Sequence, residues 1–125
     1  MTLRSLGLAA ALLVLPSTLA YAAPAMEADS GMGTILVDEH GMTLYTFDKD
    51  APGVSNCYDK CAANWPPLKA AEGAMAEGDW TLVERTDGGM MWAYKGQPLY
   101  LWIKDEKPGD TTGDGVGDVW HVAKP

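Results

Sequence analysis

Two short stretches carry residue types that could do chemistry together. Gly41 to Asp50 reads GMTLYTFDKD, and Gly96 to Asp105 reads GQPLYLWIKD. Each places a tyrosine ahead of a second aromatic and an aspartate: Tyr45, Phe47 and Asp50, then Tyr100, Trp102 and Asp105. Two readings stay open. Exposed, an aromatic face rimmed by carboxylates suits a sugar or peptide ligand. Buried, the aromatics build a core on a pleated surface, and each aspartate accepts from backbone amides of the turn that follows it.

Three further sets are candidates for metal or redox chemistry. Cys57 and Cys61 are the only cysteines. In an oxidising compartment an even count reads first as one disulfide; the alternative is a thiol pair that binds copper or exchanges electrons. The run Asp110-Thr111-Thr112-Gly113-Asp114-Gly115-Val116-Gly117-Asp118 resembles a calcium loop. Asp110, Thr112 and Asp114 take the first, third and fifth places, Gly115 the sharp sixth and Asp118 the ninth. His121 stands where a bidentate glutamate is wanted, and no flanking helices are evident, so a Gly-Asp surface turn competes with calcium. His40, Met42, Met90, Met91 and His121, with the cysteines, are ligand types suited to copper; methionine is equally a core filler. Enzyme signals are thin. No Ser-His-Asp pattern, P-loop or zinc motif is present, and two histidines leave few general bases. The chain is therefore read as non-catalytic.

The elements that must position these residues repeat. Sliding the sequence by 55 residues lays Gly33 on Gly88, Gly41 on Gly96, Leu44 on Leu99 and Tyr45 on Tyr100. The same shift lays Lys49 on Lys104, Asp50 on Asp105 and Trp65 on Trp120, and sets Phe47 against Trp102. Such self-similarity means one supersecondary unit used twice, and neither copy is long enough to bury a core alone. Thr34–Val37, the turn Asp38–Gly41 and Met42–Phe47 predict a hairpin. Trp80–Arg85 and Met90–Tyr94 predict another, joined through Thr86-Asp87-Gly88-Gly89. Pro98–Ile103 and Val119–Ala123 predict further strands. Ser55 or Asn56 would cap a short helix through Tyr58–Lys60, ended by Pro66. The expected fold is mainly β: a small single domain of two pseudo-repeated β-hairpin units with one short Cys-containing helix. Repeat 1 covers 33–68, a surface connection 69–79 and repeat 2 80–125, after a flexible 23–32.

Residues 1–22 read as a signal peptide: Arg4, the apolar run Leu6–Leu15, Pro16 and the Ala20-Tyr21-Ala22 cleavage pattern. The run is too short to span a bilayer, and no cysteine near the cleavage point could carry a lipid. Cleavage would leave eight Lys or Arg against 17 Asp or Glu, a net charge of −9. That balance argues against nucleic acid or anionic lipid as partner and favours solubility. A soluble periplasmic or secreted monomer of Gram-negative type, without a membrane anchor, is expected.

Taken together, these features resemble a family of secreted, often lipid-anchored bacterial proteins marked by a Y-x-[FWY]-x-x-D motif and described as a secreted repeat of unknown function. The resemblance runs from about Gly33 to Pro125. It rests on Tyr45–Asp50, Tyr100–Asp105, Cys57 to Cys61 followed by Ala62-Ala63-Asn64-Trp65-Pro66-Pro67-Leu68, and Gly113-Asp114-Gly115 leading to Trp120-His121. The chain departs from many members in lacking a lipid-accepting cysteine. The resemblance implies kinship and export but no established activity.

Overall fold

The computed structural model describes residues 23–125; the expected signal peptide lies outside the described residues. The chain runs β1 (Met26–Ser30), β2 (Gly33–Val37), β3 (Tyr45–Phe47), α1 (Lys60–Asn64), β4 (Lys69–Ala70), β5 (Trp80–Glu84), β6 (Met90–Tyr94), β7 (Gln97–Pro98), a 3-10 turn (Val116–Asp118) and β8 (Trp120–Val122). The fold is mainly β with one short helix, as its alternating apolar pattern and closely spaced turn residues require.

Each half opens with an antiparallel hairpin. β1 pairs with β2 from Met26↔Val37 to Ser30↔Gly33, and β5 pairs with β6 from Trp80↔Tyr94 to Glu84↔Met90. β1 falls inside the stretch expected to be a flexible N-terminus. Its side chains are mostly polar and exposed, and only Ala28 packs partly against the core, so its pairing comes from backbone bonds to β2 rather than from an apolar pattern. The turns after β2 and β6 each place a glycine with positive φ, Gly41 at 82° and Gly96 at 83°. Only glycine takes that conformation without strain, which explains why it recurs.

The halves are then threaded through one another. β8, the last strand of the second half, pairs with β3 of the first, at Tyr45↔Val122 and Phe47↔Trp120. β4, the last strand of the first half, pairs with β6 of the second, at Lys69↔Met91. Two matching rings of backbone hydrogen bonds fix this exchange. Leu44 N–H donates to Leu36 (3.0 Å), Leu36 to Ala123 (2.9 Å) and Ala123 to Leu44 (2.8 Å). Leu99 N–H donates to Trp92 (3.1 Å), Trp92 to Leu68 (2.9 Å) and Leu68 to Leu99 (2.9 Å). Leu68 thus belongs to the second half's sheet and Ala123 to the first's. The connection 69–79 therefore begins as a strand rather than as free surface chain.

The rings also refine the repeat. Leu44 and Leu99 are 55 apart, as are Leu68 and Ala123, but Leu36 and Trp92 are 56 apart. The slip arises in the turn: residues 38–42 separate Val37 from its partner Thr43, while only 94–97 separate Ala93 from Pro98. In the hairpins Gly33 therefore corresponds to Gly89, not to Gly88.

Two predicted elements are displaced. The helix begins at Lys60 rather than running through Tyr58–Lys60, and the side chain of its N-terminal residue Asp59 makes no capping bond. Trp65, with φ −122°, precedes Pro66 and ends it. The strand expected over Pro98–Ile103 shrinks to β7 and two isolated bridges at Tyr100, one to Tyr45 and one to Pro67. Beyond it Leu101 N–H donates to Pro66 and Ile103 N–H to Asn64; a segment bearing Pro66 and Pro67 cannot extend a ladder.

Candidate functional site

The motif tyrosines meet where the halves cross. Tyr45 and Tyr100 form an antiparallel bridge, with Tyr45 N–H donating to Tyr100 (2.8 Å) and Tyr100 N–H to Tyr45 (2.9 Å). Both are fully buried. Each hydroxyl then reaches the aspartate of the other motif. Tyr45 Oη donates to Asp105 Oδ2 at 2.6 Å, and Tyr100 Oη to Asp50 Oδ2 at 2.7 Å. Each aspartate spends its other oxygen on the loop behind it. Asp50 Oδ1 accepts from Asn56 N–H at 2.7 Å; Asp105 Oδ1 accepts from Thr112 N–H at 3.0 Å and Thr112 Oγ1 at 2.6 Å. Tyrosine, aspartate and their spacing thus describe one reciprocal clasp: a strand supplies the phenol, and the turn after the partner strand supplies the carboxylate.

Electrostatics follow from burial. Loss of water, and then the Asp105 carboxylate, push the Tyr45 phenol far above the ordinary tyrosine range. Burial and Asp50 do the same to Tyr100. Burial likewise raises the Asp50 carboxyl, although the bonds from Tyr100 and Asn56 oppose it. Both phenols are neutral donors at neutral pH.

The second aromatic of each motif also crosses over. Phe47 stacks on Trp120 (4.2 Å between ring centroids) and Trp102 on Trp65 (3.9 Å), while Trp65 and Trp120 stack on each other at 3.8 Å and 3°. The order Phe47–Trp120–Trp65–Trp102 reads the same from either repeat. Tyr45 meets Trp65 edge-on at 5.3 Å and Tyr100 meets Trp120 edge-on at 5.2 Å. Gly113 stands against this cluster. A Cβ there would lie 2.8 Å from the Trp65 ring and 2.9 Å from the Tyr45 ring, and its N–H donates to Tyr45 Oη at 3.2 Å.

Sequence reasoning missed Arg85, because a single arginine closing a strand carries no signal. Its guanidinium is buried and donates to Ser55 Oγ (3.0 Å), the Cys57 carbonyl (2.8 Å) and both oxygens of Asp87 (3.0 and 2.9 Å), with the Tyr58 ring 4.4 Å away. Ser55 does not cap the helix. Its hydroxyl lies 2.6 Å from Tyr100 Oη and so joins Arg85 to the clasp. Cys57 and Cys61 are disulfide-bonded, with Cα atoms 5.2 Å apart. Cys57 lies ahead of the helix and only Cys61 is in it, so the bridge ties the Ser55 turn to the helix.

The metal candidates are not gathered. Asp110 accepts from the N–H groups of Glu106 and Lys107 and pairs with the Lys107 ammonium. Asp114 Oδ1 accepts from Val122 N–H at 3.0 Å. Asp118 sits in the 3-10 turn with φ 59°. Among the described residues no three His, Cys, Asp or Glu side chains converge on a point where a metal could bind. Asp110 instead holds the turn before it, a role short acidic side chains favour, and Asp114 holds β8. For copper, His40 contacts Glu39, His121 contacts Asp48 at 2.7 Å, Met91 is buried against Arg85, and both sulfurs are bonded to each other.

The model of one protein family, described as a secreted repeat of unknown function, matches residues 27–69 and again 81–124. The chain belongs to that family. The two matches end at Lys69, in β4, and at Lys124, just beyond β8, so each family repeat includes the strand that it hands to the other half. No curated protein and no solved structure matches the chain. Among the described residues no helix is long and apolar enough to cross a membrane.

Proposed function

We propose that this member of the family is an exported, non-catalytic structural or binding module of the periplasm, and that the family motif is its fastener. One observation carries the reading: both motif tyrosines and both motif aspartates are consumed by each other and by neighbouring amides. A catalytic acid, base or nucleophile needs a face toward substrate, and the two phenols have none. The family description and the apolar leader with its Ala20-Tyr21-Ala22 pattern support export.

The test pairs a fold readout with a cellular one. A chain carrying Asp50→Asn and Asp105→Asn should melt well below wild type. A variant that keeps wild-type stability while losing its role in the cell would place the motif in a working site and overturn the proposal. Intact mass of the periplasmic fraction should show a chain beginning at Ala23.

A further inference from the structure

Stability explains why aromatic rings stack, but it does not require that each buried phenol face a carboxylate. A phenol that loses one electron becomes a strong acid and must release its proton at once. In an interior that cannot solvate charge, only a hydrogen-bonded base can receive it. Here both buried phenols hold such a base at 2.6 and 2.7 Å, and both touch a continuous stack of indoles.

We propose that this core is a one-electron relay, entered at Trp102 and ending at the Tyr45–Asp105 pair. Trp102 is half-buried, whereas Trp65 and Trp120 are 4% exposed. Its counterpart in the other repeat is Phe47, whose benzene ring is far harder to oxidise than an indole, so the relay has one entrance and not two. The Lys104 ammonium lies 5.6 Å from the Trp102 ring; a cation there disfavours a radical cation on Trp102 and drives the missing electron inward. Of the two ends, Tyr45 is nearer, one ring beyond Trp65. Tyr100 lies beyond Trp120, and its oxygen is linked through Ser55 to the buried Arg85 guanidinium, which opposes positive charge.

The step balances. A diffusible one-electron oxidant, such as an oxygen-centred radical or an oxidised metal complex, takes one electron from Trp102. Trp65 refills Trp102, and Tyr45 refills Trp65. The Tyr45 O–H bond breaks in the last transfer, its proton passes to Asp105 Oδ2, and a neutral phenoxyl radical remains. The oxidant is reduced by one electron, and a one-electron donor reverses the sequence and restores the phenol. The raised phenol pKa fits this order, because the proton leaves only when the electron does.

The purified exported chain tests this with a photoexcited ruthenium polypyridyl complex and a sacrificial acceptor as oxidant, read by freeze-quench electron paramagnetic resonance. Wild type should give a tyrosyl radical. Tyr45→Phe should replace that signal by a tryptophanyl one, Trp102→Phe should abolish most of it, and Phe47→Trp should open a second entrance and add a radical at Tyr100. Near-ultraviolet circular dichroism confirms that each variant is folded; if Tyr45→Phe does not fold, the half-exposed Trp102→Phe decides. An unchanged tyrosyl signal in Trp102→Phe would mean that surface tyrosines react directly with the oxidant and would overturn the relay, as would a wild type that forms no tyrosyl radical.

Discussion

Removing one hydroxyl should weaken the domain more than its size suggests. Tyr45→Phe keeps the ring, so the stack on Trp65 and the packing volume survive. What is lost is one buried bond to an ionised carboxylate, at 2.6 Å, and the acceptor for Gly113 N–H, at 3.2 Å. A hydrogen bond to a charged group is worth roughly 1.5–3 kcal/mol, and a stranded buried partner adds to the loss. Asp105 keeps its Thr112 bonds through Oδ1, which limits the cost, so we expect about 2–3 kcal/mol. For a domain near 100 residues that corresponds to a fall in Tm of roughly 10–20 °C. The assay is urea or thermal unfolding followed by tryptophan fluorescence, within a double-mutant cycle using Tyr45→Phe and Asp105→Ala. Coupling of roughly 1–3 kcal/mol is expected for groups in direct contact. A Tyr45→Phe chain within about 0.5 kcal/mol of wild type, the range of ordinary surface changes, would refute the clasp as a source of stability.

Other expectations follow from the same geometry. Gly113→Ala should cost about 1–3 kcal/mol by overpacking against the Trp65 and Tyr45 rings, whereas Gly73→Ala, which meets no atom within 4 Å but has φ 82°, should be strained without touching the aromatic spectrum. Reducing Cys57–Cys61 should cost at most about 2 kcal/mol, because so short a loop constrains the unfolded chain little; denaturant midpoints with and without reductant measure this. Stability should fall above about pH 10, where an unfolded tyrosine ionises. Both buried phenols have raised folded values, so their contribution is complete below the unfolded value and is lost as pH rises through the folded one. Ultraviolet titration should show Tyr45 and Tyr100 ionising only with alkaline unfolding. A calcium chelator should leave Tm unchanged, since Asp110 and Asp114 are held by backbone amides; a shift of several degrees would restore the calcium reading.

Much of this was legible in the sequence, and the rest was hidden for physical reasons. The repeat, the β class, the pairing of Cys57 with Cys61 and the aspartates' bonds to following amides all follow from local residue chemistry. The crossing did not. Periodicity shows which face of a strand is apolar but not which half of the molecule that face meets, so Tyr45 gave no hint that its carboxylate lies 60 residues on, at Asp105. β1 was missed because it pairs through its backbone with little apolar pattern, and Arg85 because most of its partners lie in the distant segment 55–58. The acidic glycine loop left a calcium site and a Gly-Asp surface turn both open, because turn-forming and calcium-binding sequences use the same residues. Asp110 and Asp114 accept from different amides.

The central claim is that each repeat is completed by the other. The direct measurement is to express residues 23–73 and 74–125 as separate chains and record their NMR spectra alone and mixed. Neither fragment should fold alone, and mixing should restore dispersed tryptophan signals and a single cooperative melt. A fragment that folds by itself, with a dispersed spectrum and its own unfolding transition, would contradict it.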